Sequence, residues 1–284
     1  MSSSRQSQAS GDGVNNLKEK AMLLENKNVV VYGAGGAVGS AVARGFADEG
    51  ARVFLTARTL DVIDAVAKEI SAAGGAVETA VVDAVDERSV TEHLDAVVAD
   101  AGSIDVSFNA IGISPVGLQG IPLSELPVEN FLRPITTYAQ AHFITAKSAA
   151  RHMIARGSGV IMMHTPEPAR SPMPLVGGMS VGWAAMEGLN RALSAEWAQH
   201  GVRAICLRTT GMVETPVIDV VYGLHADALG MTKEQFTALA VGMSHRKRPT
   251  TLAELTDAAV FLASDRASAM TGTVANLTGG TIVD

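Results

Sequence analysis

The residues with the clearest chemistry are four glycines. In VVVYGAGGAVGS, residues 29–40, Gly33, Gly35, Gly36 and Gly39 follow an apolar run and lead into an alanine-rich one, with Ala37 and Val38 between them. Glycines at a strand-to-helix turn let bare backbone approach a pyrophosphate, and the first amides of the helix meet its charge. The spacing is G-x-G-G-x-x-G; the strict G-x-G-x-x-G is absent because Val38 stands at its third glycine. A tight turn that holds no ligand is the alternative use of the same residues. A second apolar run, VFLT, ends in Ala57, Arg58 and Thr59. An acidic residue there would hold a ribose 2′-hydroxyl, whereas an arginine fork attracts a 2′-phosphate. The expected cofactor is therefore NADP(H), with a solvated surface arginine as the alternative. In VVDAVDE, Asp83, followed by Ala84, is placed to accept from an adenine amine or to cap the next helix.

Such residues need a sheet behind them. Short apolar runs at 28–32, 52–56, 77–82, 104–109, 159–163, 202–207 and 273–277 read as strands. Between them, three-and-four apolar spacing predicts helices over 39–49, 60–73, 87–101, 128–156, 179–199 and 252–263. This alternation predicts an α/β fold: a single-domain, doubly wound, seven-stranded parallel sheet of Rossmann-like form. Ligands of such sheets lie beyond the carboxyl ends of the strands, so the loops 33–38, 57–59, 83–84, 110–120, 164–178 and 208–243 should line the site. Residues 1–21, which include MSSSRQSQASGDGVNN, read as a flexible tail, and 22–284 as one domain.

Composition narrows the partners. The chain has 284 residues, 47% apolar and 18% charged, and a formal charge of -7. That charge argues against nucleic acid, and the basic cluster at 245–248 reads as a solvated loop. No apolar run is long enough for a membrane span. Cys206, the single cysteine, allows no internal disulfide and suits a cytoplasmic protein. The seven histidines lack paired ligand spacing, so no metal site is expected, and no nucleophile elbow occurs.

YGAGGAVG at 32–39, VVDA at 81–84, DVSFNAIG at 105–112, GVIMMHTP at 159–166, GVRAICL at 201–207, TGMVETP at 210–216 and FLASDRASAMTGTVANLTGG at 261–280 together resemble the short-chain dehydrogenase/reductase family, over about residues 22 to 284. The resemblance implies a nicotinamide cofactor, a small-molecule substrate and a homotetramer packed through the helices after the fourth and fifth strands. It also implies a catalytic tyrosine, a lysine that activates it, a serine and an asparagine. Anchored on GLNRALSAEWA, the tyrosine position falls on Met179 and the lysine position on Trp183; the serine position falls on Pro166, beside Thr165, and the asparagine position on Tyr138. Thioether and indole cannot move protons. No shift restores the pair, because the tyrosines are Tyr32, Tyr138 and Tyr222 and no lysine lies between Lys147 and Lys233. Around the nicotinamide the resemblance assigns Asn109, Ala110, Gly112, Thr210, Gly211, Val213 and Thr215, with Trp183 expected against that half of the cofactor. Ala37 replaces the middle glycine of the cofactor loop.

Three groups are candidates for the missing acid chemistry, Tyr138, His164 and Glu167 with Arg170, while Thr165 would restore the serine's hydroxyl after a one-residue shift. Tyr138 could equally pack against Trp183, and His164, expected at the end of the fifth strand, could be structural. Glu167 and Arg170, in a proline-rich loop, read as a wall or as a grip on a polar substrate group. The preferred reading is a divergent NADP-dependent oxidoreductase of a small hydrophobic carbonyl or conjugated alkene, with a non-standard proton donor and residues 216–243 as its lid. The alternative is a redox-inactive nucleotide-binding regulatory or partner protein; a non-redox lyase or isomerase is a third possibility.

Overall fold

Pleating divides the core into two halves. In β1 (Asn28–Tyr32), Val29 and Val31 join an apolar cluster on one face of the sheet, while Val30 and Tyr32 join another on the opposite face. The computed structural model describes residues 22–283; the tail expected at 1–21 lies outside the described residues. After β1 come α1 (Ala37–Asp48), β2 (Arg52–Ala57), α2 (Asp61–Ala72), β3 (Ala76–Val81), α3 (Glu87–Ala101), β4 (Val106–Asn109) and α4 (Val128–Arg156). Then follow β5 (Gly159–Pro166), α5 (Gly178–Trp197), β6 (Val202–Thr209), α6 (Pro216–Leu229), α7 (Lys233–Met243), α8 (Leu252–Ala263) and β7 (Thr273–Leu277).

The described strands form one parallel seven-stranded sheet in the order β3-β2-β1-β4-β5-β6-β7. Helices α1, α2 and α8 cover one face through Phe46, Ile63 and Leu255; α3, α4 and α5 cover the other through Leu94, Met153 and Met186. Central strands are buried on both faces, which is why they read as continuous apolar runs. Strand order reverses between β1 and β4, which opens the crevice at their carboxyl ends.

Two expectations are corrected. The fifth strand does not stop at 163: His164, Thr165 and Pro166 are in register with Leu207, Arg208 and Thr209 of β6 and lie within the sheet. Pairing with β6 continues to Pro166, after which the chain enters the 3-10 turn Glu167–Ala169. The segment 216–243, expected as part of a loop over 208–243, forms two helices. Pro216 starts α6 at a position that has no need of an amide donor, Gly230 ends it in the left-handed region, and the Thr232–Gln235 capping box starts α7. Phe236 joins the two helices through ring contacts with Tyr222 and His225, both at 5.3 Å. His225 also reaches Gln119 Oε1, 3.1 Å from its Nε2, which ties α6 to the segment between β4 and α4.

The glycine-led entry to α5 has a packing cause. A methyl group on Gly178 would stand 1.9 Å from the Phe131 carbonyl oxygen, and one on Gly182 3.1 Å from that of Pro134. Only glycine lets α5 approach the first turns of α4 so closely. That approach sets Met179 and Trp183 against Tyr138.

Candidate active site

At the β1–α1 turn the geometry is set by backbone. Gly33 has φ +71°, and a methyl group there would stand 2.8 Å from Ala110 O. On Gly39 it would stand 2.4 Å from Gly33 O, and on Gly35 2.7 Å from Val62 Cγ2. The amide of Gly36 donates to Gly33 O at 3.1 Å, which closes the turn. Helix α1 starts without a side-chain cap, so the amides of its first residues, Ala37 and Val38, face the turn as donors. The Val38 side chain packs on the core. A cradle closed to β-carbons at Gly33, Gly35 and Gly39, with outward-facing amides, fits a dinucleotide pyrophosphate.

Arg58 and Thr59 are exposed just beyond β2, and Arg58 holds no carboxylate among the described residues. Asp83 is exposed after β3; its Oδ1 accepts from the Val85 amide at 3.2 Å. It does not cap α3, a role that belongs to Asp86, which accepts from the Arg88 amide at 2.9 Å. Ala84 is buried beneath it. Asn109 is buried at the end of β4: its Nδ2 donates to Thr145 Oγ1 at 3.0 Å, and its Oδ1 accepts from the Ile111 amide at 3.0 Å. This fixes the loop of Ala110 and Gly112, and the Ala110 amide donates to Tyr32 O at 3.0 Å.

On the far side of the crevice the side chains are apolar or uncharged. Met179, Trp183 and Tyr138 are buried in one cluster, and the rings of Tyr138 and Trp183 are 6.3 Å apart. Burial raises the Tyr138 pKa, against opposing hydrogen bonds with the Trp183 side chain and the Ile113 backbone. His164, half-buried, places Nε2 2.8 Å from Thr209 Oγ1. Its pKa is lowered to about 4, first by burial and then by His142. The Thr165 hydroxyl points away from the crevice and donates to Glu187 Oε1 at 3.1 Å. Beyond β6, Thr210 Oγ1 accepts from the Thr250 amide at 3.0 Å, and Thr215 Oγ1 donates to Met212 O at 2.8 Å. Val213 is exposed, while Gly211 lies against Tyr222: a methyl group there would stand 2.5 Å from the phenol oxygen.

Two polar features behind this wall escape the sequence reading. Glu187 and Arg208 form a buried bidentate pair, Nε to Oε1 at 2.7 Å and Nη2 to Oε2 at 2.6 Å. The signal was present: Glu187 interrupts the buried face of α5 one turn after Trp183, and Arg208 interrupts an apolar strand. His142, one turn after Tyr138, is buried with Nδ1 3.0 Å from Tyr138 O, and burial lowers its pKa to about 4.

A family description, enoyl-(acyl carrier protein) reductase, matches residues 33–281. The chain is a short-chain dehydrogenase/reductase. Among its relatives, cis-4-hydroxycyclohexanecarboxylate dehydrogenase of Sinomonas cyclohexanicum is 32% identical, covering 88% of this chain and 94% of that one. An uncharacterised oxidoreductase of Bacillus subtilis is 30% identical over 90% of this chain and 91% of its own. The gluconate 5-dehydrogenase of Gluconobacter oxydans is 28% identical over 92% and 96%. Among solved structures, a gluconate 5-dehydrogenase from Burkholderia cenocepacia in complex with NADP and tartrate superposes with a TM-score of 0.80 at 25% identity, over 92% of this chain and 97% of that one. An NAD+-bound xylitol dehydrogenase shares the fold, with a TM-score of 0.85 at 23% identity over 90% and 99%. Membership makes this chain an oxidoreductase of the NAD(P)-using family. No helix among its described residues is long and apolar enough to cross a membrane.

Proposed function

We propose that the protein is a divergent NADP-dependent oxidoreductase, residues 22–284 forming its single domain, with Met179 and Trp183 standing where its family places the catalytic tyrosine and lysine. The observation that carries this reading is the contrast across one crevice: a glycine turn in which a methyl group on Gly33, Gly35 or Gly39 would collide with its neighbours, and facing it a pair of buried side chains without a titratable proton. Arg58 holds the 2′-phosphate and Asp83 the adenine. Asn109, Gly211 and Thr215 fix the loops beside the nicotinamide, and Trp183 gives that half an apolar wall. The bound cofactor supplies a hydride.

Protonation falls to groups unlike those of the family. Tyr138, with a raised pKa, serves as a hydrogen-bond donor rather than a proton source. His164 is neutral at pH 7 and relays rather than releases a proton; water supplies it. Thr165 is committed to Glu187 and takes no part. With neither Tyr138 nor His164 a neutral-range acid beside the nicotinamide, the site suits a substrate that needs little assistance, a small hydrophobic activated carbonyl or conjugated alkene. Helices α6 and α7 act as its lid.

Exposed apolar residues on α4 and α5, Leu132, Phe143 and Val181, together with the exposed Ala184, Ala185 and Ala192, support a homotetramer in the cytoplasm. Leu193, on the same helix, is turned inward and takes no part in that surface. Light scattering at micromolar concentration should give four copies; a monomer excludes this assembly.

The test of function is fluorescence titration with NADPH and NADH, followed by assay against a panel of ketones and conjugated enones. Wild-type turnover with NADPH that falls in Tyr138→Phe or His164→Ala supports the reading. The second reading, a redox-inactive nucleotide-binding partner, is favoured by the absence of a neutral-range acid at Tyr138 and His164. NADPH binding with no turnover in the wild type, and turnover gained in Met179→Tyr/Trp183→Lys, would establish it.

A further inference from the structure

Glu167 is the first residue beyond β5, between Pro166 and Pro168, in a 3-10 turn. Its backbone is pinned: Glu167 O accepts the amides of Arg170 at 3.0 Å and Ser171 at 2.9 Å. The turn therefore holds a carboxyl group at the edge of the sheet where ligands of open α/β folds bind. Yet the residue is only 5% exposed, and its Oε2 is buried with no hydrogen-bond partner. An unpartnered carboxylate oxygen is costly to bury, and a protonated carboxyl much less so.

Its surroundings come from two further segments. Tyr222 of α6 is close enough for the charge of Glu167 to add to the burial that pushes the phenol up to about 12. The Tyr222 oxygen in turn abuts Gly211, at the turn after β6. Thr281, from the segment after β7, is the third neighbour, and its hydroxyl opposes the rise in the Glu167 pKa. The turns that follow β5 and β6 thus bring a buried carboxyl and, at Gly211, the phenol of α6 within electrostatic reach of one another.

We propose that Glu167 and Tyr222 form a polar subsite for substrate beneath α6, in which Glu167, as an uncharged carboxylic acid, donates its O–H to a neutral oxygen of the substrate. That oxygen is a hydroxyl or second carbonyl remote from the reacting carbon. Two uncharged groups solvate a neutral oxygen well and a buried anion poorly. Burial raises the Glu167 pKa to about 7, so the acid form is populated at neutral pH and dominates below it. The assignment rests on the oxidoreductase reading and narrows its substrates from purely hydrophobic carbonyls to those with a second, uncharged oxygen.

Two measurements on the full chain test it. Infrared difference spectra between mildly acidic and mildly alkaline buffer should contain a carboxylic-acid band that titrates near pH 7 and is missing in Glu167→Gln; a band confined to the ordinary carboxylate range, or none, overturns the proposal. Saturation-transfer NMR with cyclohexanone, 4-hydroxycyclohexanone and 4-oxocyclohexanecarboxylate then reads binding whether or not hydride is transferred. The hydroxylated ring should bind about fivefold better than the parent ring, the scale of one neutral hydrogen bond. That margin should vanish in Glu167→Leu, shrink in Tyr222→Phe, and survive in part in Glu167→Gln, which keeps a donor. Equal binding of the two neutral rings, preference for the carboxylated ring, or a margin unchanged in both Glu167→Leu and Tyr222→Phe overturns it. If Glu167→Leu does not fold, Tyr222→Phe and Glu167→Gln carry the same comparison. Failure of the oxidoreductase reading shows separately, as absent NADPH binding and turnover.

Discussion

At the β1–α1 turn the working groups are amides, and the side chains are mostly hydrogen atoms; between α4 and α5 the side chains fill the space and their titratable groups are moved away from neutrality. The first region is open to water and keeps an exposed arginine at its rim. The second is closed, with Met179, Trp183 and Tyr138 packed together, His142 and His164 lowered to about 4, and a bidentate ion pair hidden behind. A site made of backbone fails when volume is added, because nothing in it can move aside. A site made of buried side chains fails when charge is unbalanced, because no water is there to screen it.

The largest expected effect is at the buried pair. Glu187→Leu leaves the Arg208 guanidinium without its bidentate partner and should lower stability by about 3–5 kcal/mol in denaturant titration. Replacing both, Glu187→Leu with Arg208→Met, should recover most of that loss; an additive result would show that the two groups act independently. Next is Arg58→Ala, which should weaken NADPH binding by about 1.5–3 kcal/mol in calorimetry and leave NADH unaffected. Equal losses for the two cofactors would remove Arg58 from the 2′-phosphate.

Gly39→Ala drives a methyl group toward Gly33 O and should cost about 1–3 kcal/mol in thermal melts, with loss of NADPH affinity. Met179→Leu, which conserves volume at the other end, should cost less and leave NADPH affinity intact. A reversed order would refute the contrast between the two regions.

The smallest effect is in pH. His142 and His164 have folded pKa values near 4, below the ordinary histidine value, so from about pH 6.5 down to 4 the unfolded chain binds protons that the native chain does not. Stability therefore falls as pH falls through this range, with the contribution of half-buried His164 reduced by solvent screening. Glu167, raised to about 7, has the opposite sign: it adds stability below its unfolded pKa and loses it as pH rises toward 7. His142→Asn should thus flatten the acid-side slope, and Glu167→Gln should steepen it. Denaturant melts across this range decide; an unchanged slope in His142→Asn shows that the imidazole is not held neutral.

Much of this was legible in the chain. Central strands of a parallel sheet are buried on both faces, so runs such as NVVVY announce themselves, and helices with one buried face keep a three-and-four rhythm. The cofactor turn was legible for a similar reason: a handful of adjacent residues has to do everything locally. Residues 216–243 were readable as an apolar lid, and the Thr232–Gln235 cap and Pro216 were cues to its two helices. His164 was placed past the end of its strand because pairing with β6, which extends β5 to Pro166, is not a local property.

Sequence alone determined the fold class, the glycine turn and the arginine at its rim, since each depends on neighbours in the chain or on a simple period. Tertiary structure decided how the other end of the crevice is arranged. It turned the Thr165 hydroxyl toward Glu187, closed Glu187 on Arg208 from the next strand, and brought Tyr222, from a helix far along the chain, within electrostatic reach of Glu167. Burial, and with it protonation, is a sum over segments that meet only when the chain is folded, and no stretch of sequence contains that sum.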